Sequence, residues 1–255
     1  MDQPNVTKLY KYRAFDAYSL SSLVDQTGWF ATAASFNDPF DCNITISDAK
    51  LDESVHAALR QIQSSGTAGR EIRDDDFQIK DTDRAAFKLA QQRLLETAQS
   101  LGVFCLSEVA DHILMWSHYG DCHRGFCVEY GRDPDNSLGR LSAPVQYSAE
   151  YPQLGFPDIT SNDSSARPSD ILWLTKSHHW AYEREWRIMQ GPGGKAYHLD
   201  FPITGVIFGM RMPESQKHTI YNIVASRWPA QFQQANRSDT HFQVHLTDWH
   251  PPNAS

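Results

Sequence analysis

His178-His179-Trp180-Ala181-Tyr182-Glu183-Arg184-Glu185-Trp186-Arg187-Ile188-Met189 is the stretch whose reading decides this fold. Taken as a strand, its period of two puts Glu183 and Glu185 on one face and Tyr182, Arg184 and Trp186 on the other. Two neighbouring carboxylates among aromatic rings repel each other, which favours keeping one proton. Such a pair suits acid–base work or the stabilisation of a developing cation. The same residues also read as a solvated strand edge with Glu and Arg paired to neighbours.

Moving outward from this run, Gly191-Pro192-Gly193-Gly194 punctuates its far end and reads as a hairpin loop. Those glycines lack the strand-before, helix-after setting of a dinucleotide fingerprint, and the chain has no P-loop run. Ile203–Gly209 has a buried-strand pattern, Pro213–Arg227 reads as a helix with Pro213 near its first turn, and Phe242–Leu246 alternates as a closing strand. Upstream, Leu9–Arg13, Trp29–Ala33, Val103–Ser107, Gly125–Tyr130 and Val145–Tyr147 are strand candidates. Ala17–Gln26 reads as a helix closed by Gly28, and Ile113–Tyr119 as a short helix or turn. Asp52–Gln63 and Asp83–Ser100 carry helical periodicity around a charged connector, and 151–169 is a loop rich in Pro, Ser, Asp and Asn. About seven or eight short strands with helices at a few fixed places give an α+β class. The expected plan is one domain over 1–255 with a helical insertion near 48–100.

Composition narrows the class. Hydrophobic residues at 40% and aromatics at 12% of 255 residues suffice for a sizeable core. The formal net charge of −8 argues against broad binding of nucleic-acid backbone, though a local basic groove stays open. No apolar run approaches the roughly 20 residues of a membrane span, and Met1–Val6 resembles no signal peptide. Cys42, Cys105, Cys122 and Cys127 have no disulfide-framework spacing, so reduced thiols in a cytoplasm are expected.

Several constellations could carry chemistry. Cys105, His112, His118, Cys122, His123 and Cys127 are dense in soft ligands, but their spacing does not fit a standard zinc knuckle. Cys127 also reads as a small buried hydrophobe. A cysteine nucleophile with His118 or His123 as base has no local signature behind it. Trp116-Ser117-His118-Tyr119-Gly120 gathers stacking surface and a titratable donor, as a binding site or as a packed aromatic corner. Asn37, Asp38 and Asp41 could bind a cation, yet Asn37 and Asp38 read better as a turn capped by their own side chains.

Six blocks together resemble a bacterial family, the domain-of-unknown-function 2971 family. They are Leu9–Arg13, Ser35–Asp41, Cys105–Glu108, Met115–Gly120, His123–Cys127 and, last, Lys176-Ser177 with Trp180–Arg187. They follow that family's order over residues 8–190. A more distant resemblance is to ADP-ribosyltransferases of the arginine–serine–glutamate type. Arg13, the Thr32/Ser35 region and Glu183-Arg184-Glu185 come in their order. Ala31-Thr32-Ala33-Ala34-Ser35 replaces their Ser-Thr-Ser core, and Trp-Arg follows the acids where an aliphatic is usual.

That second resemblance implies a split, mostly antiparallel sheet around an NAD cleft. It implies Glu185 as the catalytic residue on the ribose 2′-hydroxyl, with Glu183 orienting or deprotonating the acceptor. Arg13 would pair with the NAD diphosphate, Thr32 or Ser35 would support Glu185, and Trp116, His118 or Tyr119 would line the nicotinamide or adenine pocket. The expected activity is NAD-dependent ADP-ribosyl transfer or NAD cleavage, with a protein or nucleic-acid acceptor, in the setting of bacterial antiviral defence or a toxin system. Two alternatives stand beside it: a metal-assisted nuclease or phosphodiesterase using Asp38, Asp41, His118 and Glu185, and a nucleotide sensor without turnover.

Overall fold

The computed structural model describes residues 5–43, 81–152 and 168–252. The helix expected over 52–63, the connector after it and most of the 151–169 loop lie outside the described residues. The class is α+β: helices and a mostly antiparallel sheet. The chain divides into two compact units, one of Met1–Thr32, Leu101–Val145 and His179–Ser255, the other of Ala33–Ser100 and Gln146–His178.

The first unit holds a ten-stranded sheet. Its strands are β1 (Lys8–Arg13), β2 (Thr27–Thr32), β3 (Gly102–Ser107), β4 (Phe126–Gly131), β5 (Ala143–Pro144), β8 (Glu185–Gln190), β9 (Lys195–His198), β10 (Ile203–Phe208), β11 (Gln231–Arg237) and β12 (Val244–Asp248). The helices are α1 (Ala17–Asp25), α3 (Ile113–His118), α4 (Ser137–Leu141) and α6 (Glu214–Ala225). The main path runs β12-β11-β10-β4-β1-β3-β2-β9, and β8 pairs along the whole of β3 and with β5. Alternation along β4 shows why both faces are covered. Phe126, Val128 and Tyr130 join Leu9, Phe104, Trp186 and Ile188 in one apolar cluster, with Leu23 of α1 and Ile220 of α6. Cys127 points the other way and joins Tyr12, Ile207 and Met115 and Trp116 of α3. A strand buried on both faces has to be nearly continuous in apolar residues, as β4 is.

The sheet is split at β3. With β8 on one edge, β3 shares its other edge between two strands. It meets β1 only at Tyr10↔Ser107, and β2 only at Ala31↔Val103 and Thr32↔Gly102. Between those contacts Lys11 reaches in and donates its ammonium to the Cys105 carbonyl at 2.7 Å. A cation thus satisfies backbone that no strand reaches.

Several sequence expectations are corrected here. The strand count is higher, because β9 and β11 carry little apolar signal: Gln231-Phe232-Gln233-Gln234-Ala235-Asn236-Arg237 is a strand because β10 and β12 flank it. The closing strand is Val244–Asp248 and not 242–246. Residues 191–194 are no hairpin loop, since β8 pairs with β3 while β9 pairs with β2. The segment crosses the end of β3, where a Cβ on Gly193 would lie 2.9 Å from the Gly102 Cα. Gln26, not Gly28, closes α1 in the left-handed conformation at φ 52°. Gly28 sits in β2, its Cβ space filled by the Phe104 ring.

The second unit, as described, comprises a 3-10 turn (Ala33–Ser35), α2 (Asp81–Ser100), α5 (Pro168–Leu174) and the parallel pair β6 (Gln146–Ser148) and β7 (Thr175–Ser177). Asp38 accepts from Phe40 N at 2.9 Å, an Asx turn, and the buried Asp41 and Lys176 pair at 3.7 Å. Among the described residues, no helix is long and apolar enough to cross a membrane.

Candidate functional site

The two acids do not share a strand face. His178–Glu183 is a 3-10 turn, and Arg184 follows with φ 45°, so the strand begins only at Glu185. A left-handed residue breaks the period of two and sends the two carboxylates into different surroundings. Glu108 fastens this break. Its backbone N donates to the Arg184 carbonyl at 3.0 Å, and its carboxylate accepts from Arg184 Nη2 at 3.0 Å and Trp186 Nε1 at 3.3 Å.

Glu183 is 2% exposed. Ser107 donates its hydroxyl to the Glu183 carbonyl at 2.6 Å, and Tyr119 donates its phenol to Oε1 at 2.6 Å. Tyr119 follows directly on α3, with its backbone N bonded to the Met115 carbonyl. A run of rings leads up to Tyr119. His112 stacks on Tyr182 at 5.1 Å and 15°, Tyr182 lies 6.0 Å from Trp180, Trp180 lies 6.4 Å from His118, and His118 lies 6.2 Å from Tyr119. Among the described residues, the buried His112 Nδ1 atom has no hydrogen-bond partner. A short phenol–carboxylate bond close to aromatic rings puts a preoriented carboxyl group beside stacking surface.

Glu185 is 5% exposed and is held by Arg187, which is fully buried. Arg187 Nε donates to Oε1 at 2.8 Å and Nη2 to Oε2 at 3.0 Å, a bidentate pair. Burial raises the Cys105 thiol pKa, and Glu185 beside it adds to the rise.

The structure therefore brings His118, Tyr119 and Glu183 together and gives the other expected residues different places. Trp116 is a core residue, 0% exposed, with its indole N–H donated to the Ala110 carbonyl and its ring edge-on to Tyr12 at 5.1 Å. Its ring is used up in packing. Thr32 cannot support Glu185. It pairs with Gly102 at one end of β3 while Glu185 pairs with Ser107 at the other, roughly 17 Å away at about 3.4 Å per residue. Ser35 belongs to the second unit. Arg13 ends β1 with Nε and Nη2 buried and unpartnered. Burial raises the Tyr130 phenol, and the Arg13 charge opposes that rise.

Sequence reading gave no site role to Ser107, Glu108, Trp180, Tyr182 or Arg187, and weighed His112 only as a soft metal ligand. The first five sit inside blocks already singled out, but nothing in one dimension assigns them to Glu183 or Glu185. The soft-ligand run disperses: Cys127 is buried and Cys122 is exposed, and no disulfide joins the cysteines among the described residues. Among the described residues no three His, Cys, Asp or Glu side chains converge as a metal set.

Residues 115–188 match the family described as Protein of unknown function (DUF2971). The match runs from α3 into β8 and holds Tyr119, Trp180, Tyr182, Glu183, Glu185 and Arg187, hence most of the ring cluster. It is narrower than the expected 8–190 and leaves out Leu9–Arg13, Ser35–Asp41 and Cys105–Glu108. No curated protein and no solved structure matches the chain.

Proposed function

We propose that this protein binds NAD and cleaves its nicotinamide N-glycosidic bond, passing ADP-ribose to water or to a macromolecular acceptor. The observation that carries the reading is the Tyr119–Glu183 pair, a buried carboxylate held at 2.6 Å within a ring cluster. As nicotinamide departs with the bonding electrons, positive charge develops on the ribose, and a fixed carboxylate stabilises it. In this reading Glu183 is the catalytic residue and Tyr119 its positioning partner, while Trp180, Tyr182 and His118 supply faces for a flat ring. Glu185, expected as the catalytic acid, becomes a positioning residue because Arg187 engages both its oxygens. The split of the sheet between β1 and β2 is in keeping with this reading.

The experiment is nicotinamide release from NAD by the purified chain, with calorimetric NAD binding in parallel. Glu183→Gln should lower release by about 100-fold or more with the fold intact, a typical cost of losing one group that stabilises transition-state charge. NAD binding without release, unchanged in Glu183→Gln, makes the protein a sensor. No binding, together with metal-dependent cleavage of RNA or DNA, replaces the reading with the nuclease.

A further inference from the structure

We infer that the cavity beside the β11–β12 turn is a binding site for a small aromatic anion. The cavity holds about 460 Å³, within the range of small-ligand sites. Ile113, Met210 and Val244 give it apolar walls, and His123 and Phe242 add rings. Phe242 is 102% exposed, so a flat body laid against it would remove apolar surface from water. Arg237 lines the same cavity and has no ion-pair partner among the described residues. Asp239, exposed on the turn, is the one acidic side chain among the lining residues, so the anionic group is placed at Arg237.

The placement of His123 shows a built wall. Asp121, Cys122 and His123 have φ of 48°, 51° and 66°, three successive left-handed residues that are not glycine. L-residues avoid that conformation, and it persists only where the surroundings impose it. Here His123 N donates to the Trp116 carbonyl at 3.1 Å, Arg124 N to the Asp121 carbonyl at 3.0 Å, and Arg211 N to the His123 carbonyl at 2.9 Å. A Cβ on Gly209 would lie 2.4 Å from the His123 oxygen, so only glycine lets the next turn close on this loop. The outcome is a His123 ring lying nearly parallel to Trp116, 14° between planes, on the cavity wall. Its Nδ1 is buried without a partner. Burial and then the Arg211 charge push the imidazole pKa down, which favours the neutral ring.

None of these residues is in the Tyr119–Glu183 cluster, so the site stands or fails apart from NAD chemistry. The test titrates the full chain with 1-anilinonaphthalene-8-sulfonate by fluorescence, and with N-phenyl-1-naphthylamine, which keeps the rings and lacks the sulfonate. Arg237, Asp239 and Phe242 are exposed, so Arg237→Gln, Asp239→Asn and Phe242→Ala leave the fold intact. The expected result is saturable one-to-one binding of the sulfonate. Arg237→Gln should weaken it about tenfold, as losing a charge-assisted hydrogen bond does. Phe242→Ala should weaken it too, and Asp239→Asn should tighten it. The neutral probe should ignore Arg237→Gln. No binding, binding without saturation, binding unmoved by Arg237→Gln and Phe242→Ala, or equal affinity for the neutral probe would overturn the proposal.

Discussion

Replacing Arg187 with Ala should be among the most damaging single changes in the first unit. Arg187 is 0% exposed and Glu185 5%, and two hydrogen bonds of 2.8 and 3.0 Å join them. Removing the guanidinium leaves a carboxylate out of water beside the half-buried Cys105, with its bidentate partner gone. Breaking a buried pair from one side typically costs about 3–5 kcal/mol, most of it the penalty of the stranded charge. At roughly 2–4 °C per kcal/mol for a chain near this size, the melting midpoint should fall by about 6–20 °C. Urea unfolding followed by tryptophan emission is a suitable assay, because Trp186 and Trp116 are both buried in the same unit. The control is Glu185→Leu with Arg187→Met, which removes both charges and keeps apolar volume. It should recover all but about 1–2 kcal/mol, because buried pairs are often replaceable by packed hydrophobes. A loss below about 1 kcal/mol in Arg187→Ala would refute the reasoning, as would a double variant no better than the single one.

Three further outcomes are expected. Tyr119→Phe removes the donor to a buried carboxylate, so it should cost about 1.5–3 kcal/mol in urea unfolding, and a loss within ±0.5 would show the bond to be idle. Gly125→Ala puts a Cβ 2.0 Å from the Arg13 carbonyl, which is backbone and cannot swing aside; roughly 3 kcal/mol of destabilisation should follow, at the upper end for overpacking. Burial, then Glu129, raises the Cys127 thiol well above its ordinary 9.0. Its stabilising contribution is therefore complete below about pH 9. Above that the unfolded chain releases a proton that the folded chain keeps. Relative to Cys127→Ala, the protein should lose up to about 1.4 kcal/mol per pH unit there, and parallel pH profiles would contradict this.

Much of the sheet was legible because hydrophobic periodicity needs only neighbours in sequence. Gly125-Phe126-Cys127-Val128-Glu129-Tyr130 reads as a strand, and β4 is one. Glu214–Ala225 sits inside the expected 213–227 helix, with Pro213 as its N-cap. β11 was invisible for the converse reason: its polar residues form a strand only because two others lie beside them. At the site, the aromatic corner and Glu-x-Glu were visible as residue types, but Trp116 and Tyr119 look equally able to stack when written in a line. α3 buries the first and turns the second toward Glu183.

By itself, then, the sequence determined the α+β class and the two blocks from which the candidate site is built, because local patterning and residue chemistry are properties of short segments. Only the tertiary structure decided which acid faces Tyr119 and which is locked to Arg187. That choice rests on one left-handed residue, Arg184, held by Glu108 from a distant strand end. The φ of a non-glycine residue is set by contacts that local sequence does not contain.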